Sequence, residues 1–386
     1  MLAVLAPGQG SQKPGFLTPW LDVSGAETRL RWWSALAGLD LVHLGSTAGA
    51  EEIKDTARTQ PLLVAATLLA ADHLPMYDAG LVAGHSVGEL AAAALAGVLT
   101  PEAAITLAGV RGREMAAACA LEPTGMVAVL GGDQDEVLAA IEGAGLHPAN
   151  RNGAGQIVAA GPAENLEKFT AAPPAKARVI RLKVAGAFHT PHMAPAERAL
   201  SAIAGGLSPA DPTKILLSNL DGTAVTTGRE VVLRLVRQVT TSVRWDLCMQ
   251  TMGHIGVTAI IELPPAGTLA GLARRALPGV EIVTVNTPDD LAAARDLVAR
   301  HGVPPGAEPT PQFRVVVSAA AGNFLPANGL GEGDEVRAGQ LIGQVSTRQG
   351  PVDVAAHESG VLTEWLAHLD DPVAPGQPLA RIGGHL

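Results

Sequence analysis

Residues 79–99 read AGLVAGHSVGELAAAALAGVL, and this stretch limits the fold more than any other part of the chain. A short apolar run, AGLV at 79–82, reads as a buried strand, and the Ala/Leu-rich run at 89–99 reads as a helix. Between them lies Gly-x-Ser-x-Gly, Gly84 to Gly88. At a strand-to-helix junction this pattern is a nucleophile elbow, in which small flanking residues let backbone and helix pass closely while the serine is held exposed. The alternative is a plain packed βα turn. Either way, strand followed directly by helix implies an α/β architecture.

Helix-like and strand-like segments alternate through residues 1–300. MLAVLAP opens as a strand running into the Gly-rich loop GQGSQKPG, and residues 59–74 form a strong helix pattern. Residues 126–185 have their own rhythm of strand, helix, two strands around a turn, helix and strand. That β-α-β-β-α-β order predicts a ferredoxin-like subdomain inserted in a larger domain. At 386 residues the chain is long enough for two domains, or for one large and one small. Aromatic residues make up only 3%, so the core must be built mainly from Ala, Val and Leu.

Composition excludes several classes of function. The formal net charge of −10 argues against a nucleic-acid partner. The apolar runs are broken before a membrane-spanning length, and the N-terminus lacks a basic, signal-like region. Cys119 and Cys248 have no metal-ligand spacing, so neither a zinc site nor a disulfide framework is expected, and no cofactor is called for. A cytoplasmic protein is the economical reading.

The segment 302–312, with four prolines, reads as a semi-rigid linker. Beyond it, GDEVRAGQLIGQV at 333–345 matches DDPVAPGQPLARI at 370–382 with an offset of 37 residues. Two copies of a strand-turn-strand unit predict a pseudo-twofold β-sandwich over 313–386.

A serine hydroxyl needs a base to become a nucleophile. The candidate is His189, in VAGAFHTPHM after the strand-like RVIRLKV. His85, next to the serine in sequence, should leave the elbow in another direction. His192 lies one helical turn from His189 and reads as a structural or surface partner.

Seven motifs then occur in order: PGQGSQ at 7–12, TQPLL at 59–63, GHSVGE at 84–89, RG at 111–112, NRNGAGQIVAAG at 150–161, GAFH at 186–189 and RQVTTSVRW at 237–245. Across roughly residues 1–295 the chain resembles the malonyl-CoA:acyl carrier protein transacylase family. The resemblance implies an α/β-hydrolase-like core with a ferredoxin-like insert, with malonyl-CoA and acyl carrier protein as partners. It makes Ser86 the acylated nucleophile and His189 its base and acid. Arg111 would hold the malonyl carboxylate, and a guanidinium suits that task because it reads a carboxylate with two parallel hydrogen bonds. Backbone N–H groups of Gln9 and Val87 would form the oxyanion hole, and the Gln238 carbonyl would orient His189. Phe188 resembles the bulky residue that accompanies malonyl rather than methylmalonyl units.

A hydrolase of this fold usually orients its histidine with an acid lying between serine and histidine in the chain. Here Asp133 and Glu142 fall in the insert, so a carbonyl-oriented dyad and acyl transfer fit better. A serine esterase or thioesterase and a non-catalytic scaffold are the competing readings. Basic residues such as Arg113, Lys183 and Arg237 are candidates for docking the carrier. One departure from the family pattern is ELPPAGTLAGL at 262–272, read as structural. The tail resembles the biotinyl/lipoyl-attachment domain, yet it has no lysine. The modifiable position falls at about Gln349, so an amide-linked cofactor is excluded, and the tail reads as a protein-interaction module or a dimerisation unit. A generic small β domain is the alternative.

Overall fold

The computed structural model describes residues 1–302, 313–357 and 359–383. From Val303 onward the expected linker lies outside these residues. The chain divides into two compact units, Met1–Pro305 and Gly306–Leu386.

In the first unit the strands are β1 (Leu2–Ala6), β2 (Leu81–Gly84), β3 (Thr124–Gly131), β4 (His147–Gly153), β5 (Gln156–Pro162), β6 (Ala177–Arg181), β7 (Ile215–Leu216), β8 (Ala259–Glu262) and β9 (Glu281–Thr284). Five of them form a parallel sheet in the order β7-β2-β1-β8-β9. β1 is central, and all five of its residues are buried. Its side chains alternate between two cores. Leu2, Val4 and Ala6 join the cluster built with the helices Thr56–Ala71, Gly88–Leu95 and Pro101–Cys119. Ala3 and Leu5 face Trp245, Cys248, Met249 and Met252 of the helix Trp245–His254. A parallel sheet covered on both faces needs such an unbroken apolar strand. The helix Thr56–Ala71 is buried nearly all round, which suits its position in the middle of the helical layer.

The inserted segment forms a four-stranded antiparallel sheet, β4-β5-β3-β6. Its helices Gln134–Gly143 and Ala163–Ala171 cover one face through Val137, Ile141, Leu166 and Phe169. This is the ferredoxin-like strand order. On the other face, Met126, Val158 and Ala160 belong to a cluster that includes Met115, Phe188 and Met193. The last strand stops at Arg181, short of the expected 184, and the chain then leaves the sheet toward His189. In the 262–272 segment, the Glu262 carboxylate accepts the N–H groups of Gly267, Leu269 and Ala270, capping the helix Thr268–Ala276.

In the second unit the strands are β10 (Phe313–Val317), β11 (Gly322–Pro326), β12 (Glu335–Val336), β13 (Leu341–Thr347), β14 (Gly350–Ala355), β15 (Gly360–Trp365), β16 (Pro372–Val373) and β17 (Pro378–Gly383). They form two sheets, β10-β17-β15-β12 and β14-β13-β11-β16. Advancing each strand of the first half by four labels interchanges the two sheets, so the sequence repeat is a structural one. Phe324, Ile342, Val345, Leu362, Leu379 and Ile382 fill the space between them. β13 and β14 are joined by a two-residue turn, Arg348–Gln349, with both residues exposed.

Candidate active site

Ser86 follows β2 and precedes the helix Gly88–Leu95, and its φ of +54° lies in the left-handed region. Both flanking glycines are there for space. A Cβ on Gly84 would lie 2.1 Å from the carbonyl of Gly88, and one on Gly88 would lie 2.2 Å from the carbonyl oxygen of Ala6. No side chain fits at those separations, so the strand, the turn and the helix can pack this tightly only through glycine. The left-handed backbone at a serine costs of order 1 kcal/mol, and the surrounding packing holds it. The Ser86 N–H donates to Asn219 Oδ1 at 2.8 Å.

His189 also has a left-handed φ, +59°, and is buried. Its Nε2 lies 2.8 Å from Ser86 Oγ, and its Nδ1 lies 2.7 Å from the Gln238 carbonyl oxygen. Gln238 is the C-cap of the helix Gly228–Arg237, so this carbonyl belongs to the partially negative end of a helix. An acceptor at Nδ1 fixes the proton there and leaves Nε2 free to accept the serine proton. Burial, reinforced by the Arg111 charge, pushes the imidazole down to about 3. It therefore rests as the neutral base.

Arg111, on the helix Pro101–Cys119, is buried beside the pair. One terminal nitrogen donates to Gln60 Oε1 at 2.6 Å; the other donates to Gln238 Oε1 at 2.9 Å and reaches Ser86 Oγ at 3.3 Å. These three acceptors are neutral. Burial lowers Arg111 only to about 10, so it stays charged at neutral pH. A guanidinium held by amide and hydroxyl oxygens keeps its charge available to an incoming carboxylate.

The loop carrying Gln9 continues from β1, and the His85 N–H donates to Ala6 O at the root of that loop. Neither the Gln9 N–H nor the Val87 N–H donates to another group among the described residues. Val87 is the N-cap of the helix Gly88–Leu95, where a developing negative charge is favoured. Phe188 is buried in the cluster behind the histidine.

Other candidates lie elsewhere. His85 turns its Nε2 to Asn152 Oδ1 at 2.9 Å and its ring edge to Trp245. His192 does not sit a helical turn from His189: the left-handed His189 and extended Thr190 break the chain before a short 3-10 turn, and His192 pairs with Glu122 at 3.1 Å. Asp133 caps the helix Gln134–Gly143, and Glu142 is exposed on it. Arg113, Lys183 and Arg237 are exposed. Burial raises both thiols, Cys119 to about 11 and Cys248 well above its ordinary value, which makes them poor nucleophiles. The sequence reading gave no role to Gln60, Glu89 or Asn219, although the first two stand inside quoted motifs.

As a class, this is a serine–imidazole site on a parallel α/β scaffold, with a buried guanidinium 3.3 Å from the serine hydroxyl. A family described as "Acyl transferase domain" matches residues 5–287, and the chain belongs to that family. The malonyl CoA-acyl carrier protein transacylase of Mycobacterium tuberculosis is 57% identical over 296 residues, covering 75% of this chain and 98% of that protein. The crystal structure of MCAT from Mycobacterium tuberculosis superposes with a TM-score of 0.75 at 55% identity, covering 76% of this chain and 99% of that one. A malonyl-transacylase solved in complex with a type II PKS acyl-carrier protein is similar at 29% identity and a TM-score of 0.72, covering 76% of this chain and 99% of its own. Among the described residues no helix is long and apolar enough to cross a membrane.

Proposed function

We propose that the chain transfers the malonyl group of malonyl-CoA to the phosphopantetheine thiol of acyl carrier protein through a malonyl ester on Ser86. It would thereby supply extender units for fatty acid or polyketide synthesis. One observation carries the reading: Ser86 Oγ lies 2.8 Å from an imidazole nitrogen and 3.3 Å from a buried guanidinium.

In the first half-reaction His189 Nε2 takes the hydroxyl proton as Oγ attacks the thioester carbon. The oxyanion is met by the Gln9 and Val87 N–H groups, each worth about 3 kcal/mol in comparable sites. The tetrahedral adduct collapses, the C–S bond breaks, and the imidazolium returns its proton to the CoA sulfur. The second half-reaction reverses these steps with the carrier's thiol. Arg111 would bind the malonyl carboxylate. Because the Arg111 charge helps depress His189, a carboxylate that neutralises it makes the imidazole a stronger base. A donor lacking the carboxylate forgoes both effects.

A dyad oriented by a carbonyl, with no acid on Nδ1, favours transfer over hydrolysis in this reading. The bulk of Phe188 favours malonyl over methylmalonyl donors. The basic residues Arg113, Lys183 and Arg237 are proposed for docking the acidic carrier. The organisation that goes with this function is a transferase domain over 1–300 and a biotinyl/lipoyl-like unit over 313–386. In the tail, Gln349 takes the place of the modifiable lysine and the unit serves as an interaction module. The enzyme would work in the cytoplasm.

The test is malonyl-CoA and acyl carrier protein followed by mass spectrometry. Malonyl should appear on Ser86 and then on the carrier, and Ser86→Ala should abolish both. Arg111→Ala should lower kcat/KM for malonyl-CoA about 100-fold or more and leave acetyl transfer much less affected. Malonyl attached to another residue, or hydrolysis outrunning transfer, would overturn the proposal.

A further inference from the structure

Glu89 is a buried carboxyl three residues beyond the serine, in the first turn of the helix Gly88–Leu95. Each of its oxygens faces a donor. Oε1 accepts the backbone N–H of Asn219 at 3.2 Å, and Oε2 accepts the side-chain amide of Gln238. The Ser218 hydroxyl also donates to the carboxyl. A carboxylate can only accept, so it dictates which end of the Gln238 amide faces it: the nitrogen toward Glu89, the oxygen toward Arg111. The same amide nitrogen reaches Ser86 O and Asn219 Oδ1, both at 3.1 Å. Asn219 in turn accepts the Ser86 N–H and donates to Gly84 O, which ties the elbow to the same network.

We infer that Glu89 is a positioning residue for acyl transfer, holding the Gln238 amide so that its oxygen seats the Arg111 guanidinium beside Ser86. The inference rests on the malonyl-transfer reading above. Glu89 touches no reacting atom. It acts on recognition of the donor's carboxylate through Gln238 and Arg111, while the link from His189 to the Gln238 backbone carbonyl is independent of it. An isosteric amide at 89 cannot substitute. With both oxygens against donors, a glutamine must turn its NH2 toward either Asn219 N–H or the Gln238 amide, placing donor against donor. Protonation of the carboxyl loosens the same hold, since an uncharged oxygen accepts the Gln238 and Asn219 N–H groups more weakly than a carboxylate does.

Burial pushes Glu89 up to about 7, so wild type passes between the two states near neutrality. The ionisable groups of the same region are shifted in their own ways: burial lowers Arg111 to about 10 and His189 to about 3, lowers His85, and raises Cys248.

The experiment measures single-turnover acylation of Ser86 in the full chain by malonyl- and acetyl-N-acetylcysteamine thioesters, from pH 6 to 8. In wild type, kcat/KM for the malonyl donor should fall below about pH 7 while that for the acetyl donor stays level. In Glu89→Gln, the malonyl value should fall about ten-fold or more, chiefly through KM, and lose its pH dependence. The acetyl value should stay within about three-fold of wild type. A parallel fall for both donors together with a lower thermal midpoint would mean a merely structural residue, and a tighter malonyl KM would mean a simple counter-charge; either overturns the inference. Should the variant not fold, the wild-type contrast between donors decides, since two level profiles refute it. If Ser86 takes up malonyl normally while these contrasts are absent, the inference alone fails; if Ser86 takes up no malonyl, the functional reading has failed.

Discussion

His189 combines two demands that oppose each other in solution. A base should be strong, yet it must also be unprotonated when the substrate arrives. Burial and the neighbouring Arg111 satisfy the second demand by holding the imidazole at about 3. The sign of the pH effect follows. The neutral base persists as pH falls through the ordinary histidine range and is lost only near the depressed value. Inactivation of Ser86 by a neutral fluorophosphonate, which leaves Arg111 unpaired, should therefore stay level from pH 8 to about 5. A half-fall near pH 6.5 in the measured inactivation rate would show an unperturbed imidazole instead. By linkage, the neutral burial of His189 contributes stability that is present above the ordinary histidine value and lost as pH drops toward about 3.

At the level of elements, the elbow is a packing problem solved by two glycines. Gly88→Ala would drive a methyl into the Ala6 carbonyl, which sits in the central strand and cannot retreat. The variant should lose about 3 kcal/mol or more in chemical denaturation, with transfer activity falling in step. The elbow around Ser86 leaves a local signature of its own, whereas His189, Arg111 and Gln238 became legible through the ordered motifs and the family resemblance they carry. Glu89 was not legible. A glutamate in a first helical turn ordinarily reads as a solvated partner for the helix N-terminus, and only the packing of Asn219 and Gln238 over it makes it an interior group. Gln60 was hidden for a similar reason, since its bond to Arg111 joins two helices across 51 residues of chain. The expected turn of helix linking His189 to His192 failed because His189 itself adopts a left-handed backbone. Such local strain has no sequence signature at a non-glycine residue. The insert, by contrast, was legible as β-α-β-β-α-β because its strands and helices are short, regular and separated by turns.

At the level of the whole molecule, every group in the proposed mechanism lies in the unit Met1–Pro305. A chain ending near Gly302 should thus transfer malonyl within about three-fold of the full-length rate in the carrier assay, whereas an obligatory catalytic role for the tail would show as a far larger loss. The tail has its own logic. Each half of its repeat supplies two strands to each sheet, so Phe324 and Ile382, from opposite halves, are covered only when both halves are present. The exposed Arg348–Gln349 turn is the one covalent link between those halves, since β13 ends before it and β14 begins after it. A nick there would leave the first half-repeat attached to the unit Met1–Pro305 and the second as a separate fragment; neither half-sandwich could close its core alone, and their reunion would rebuild it as a heterodimer.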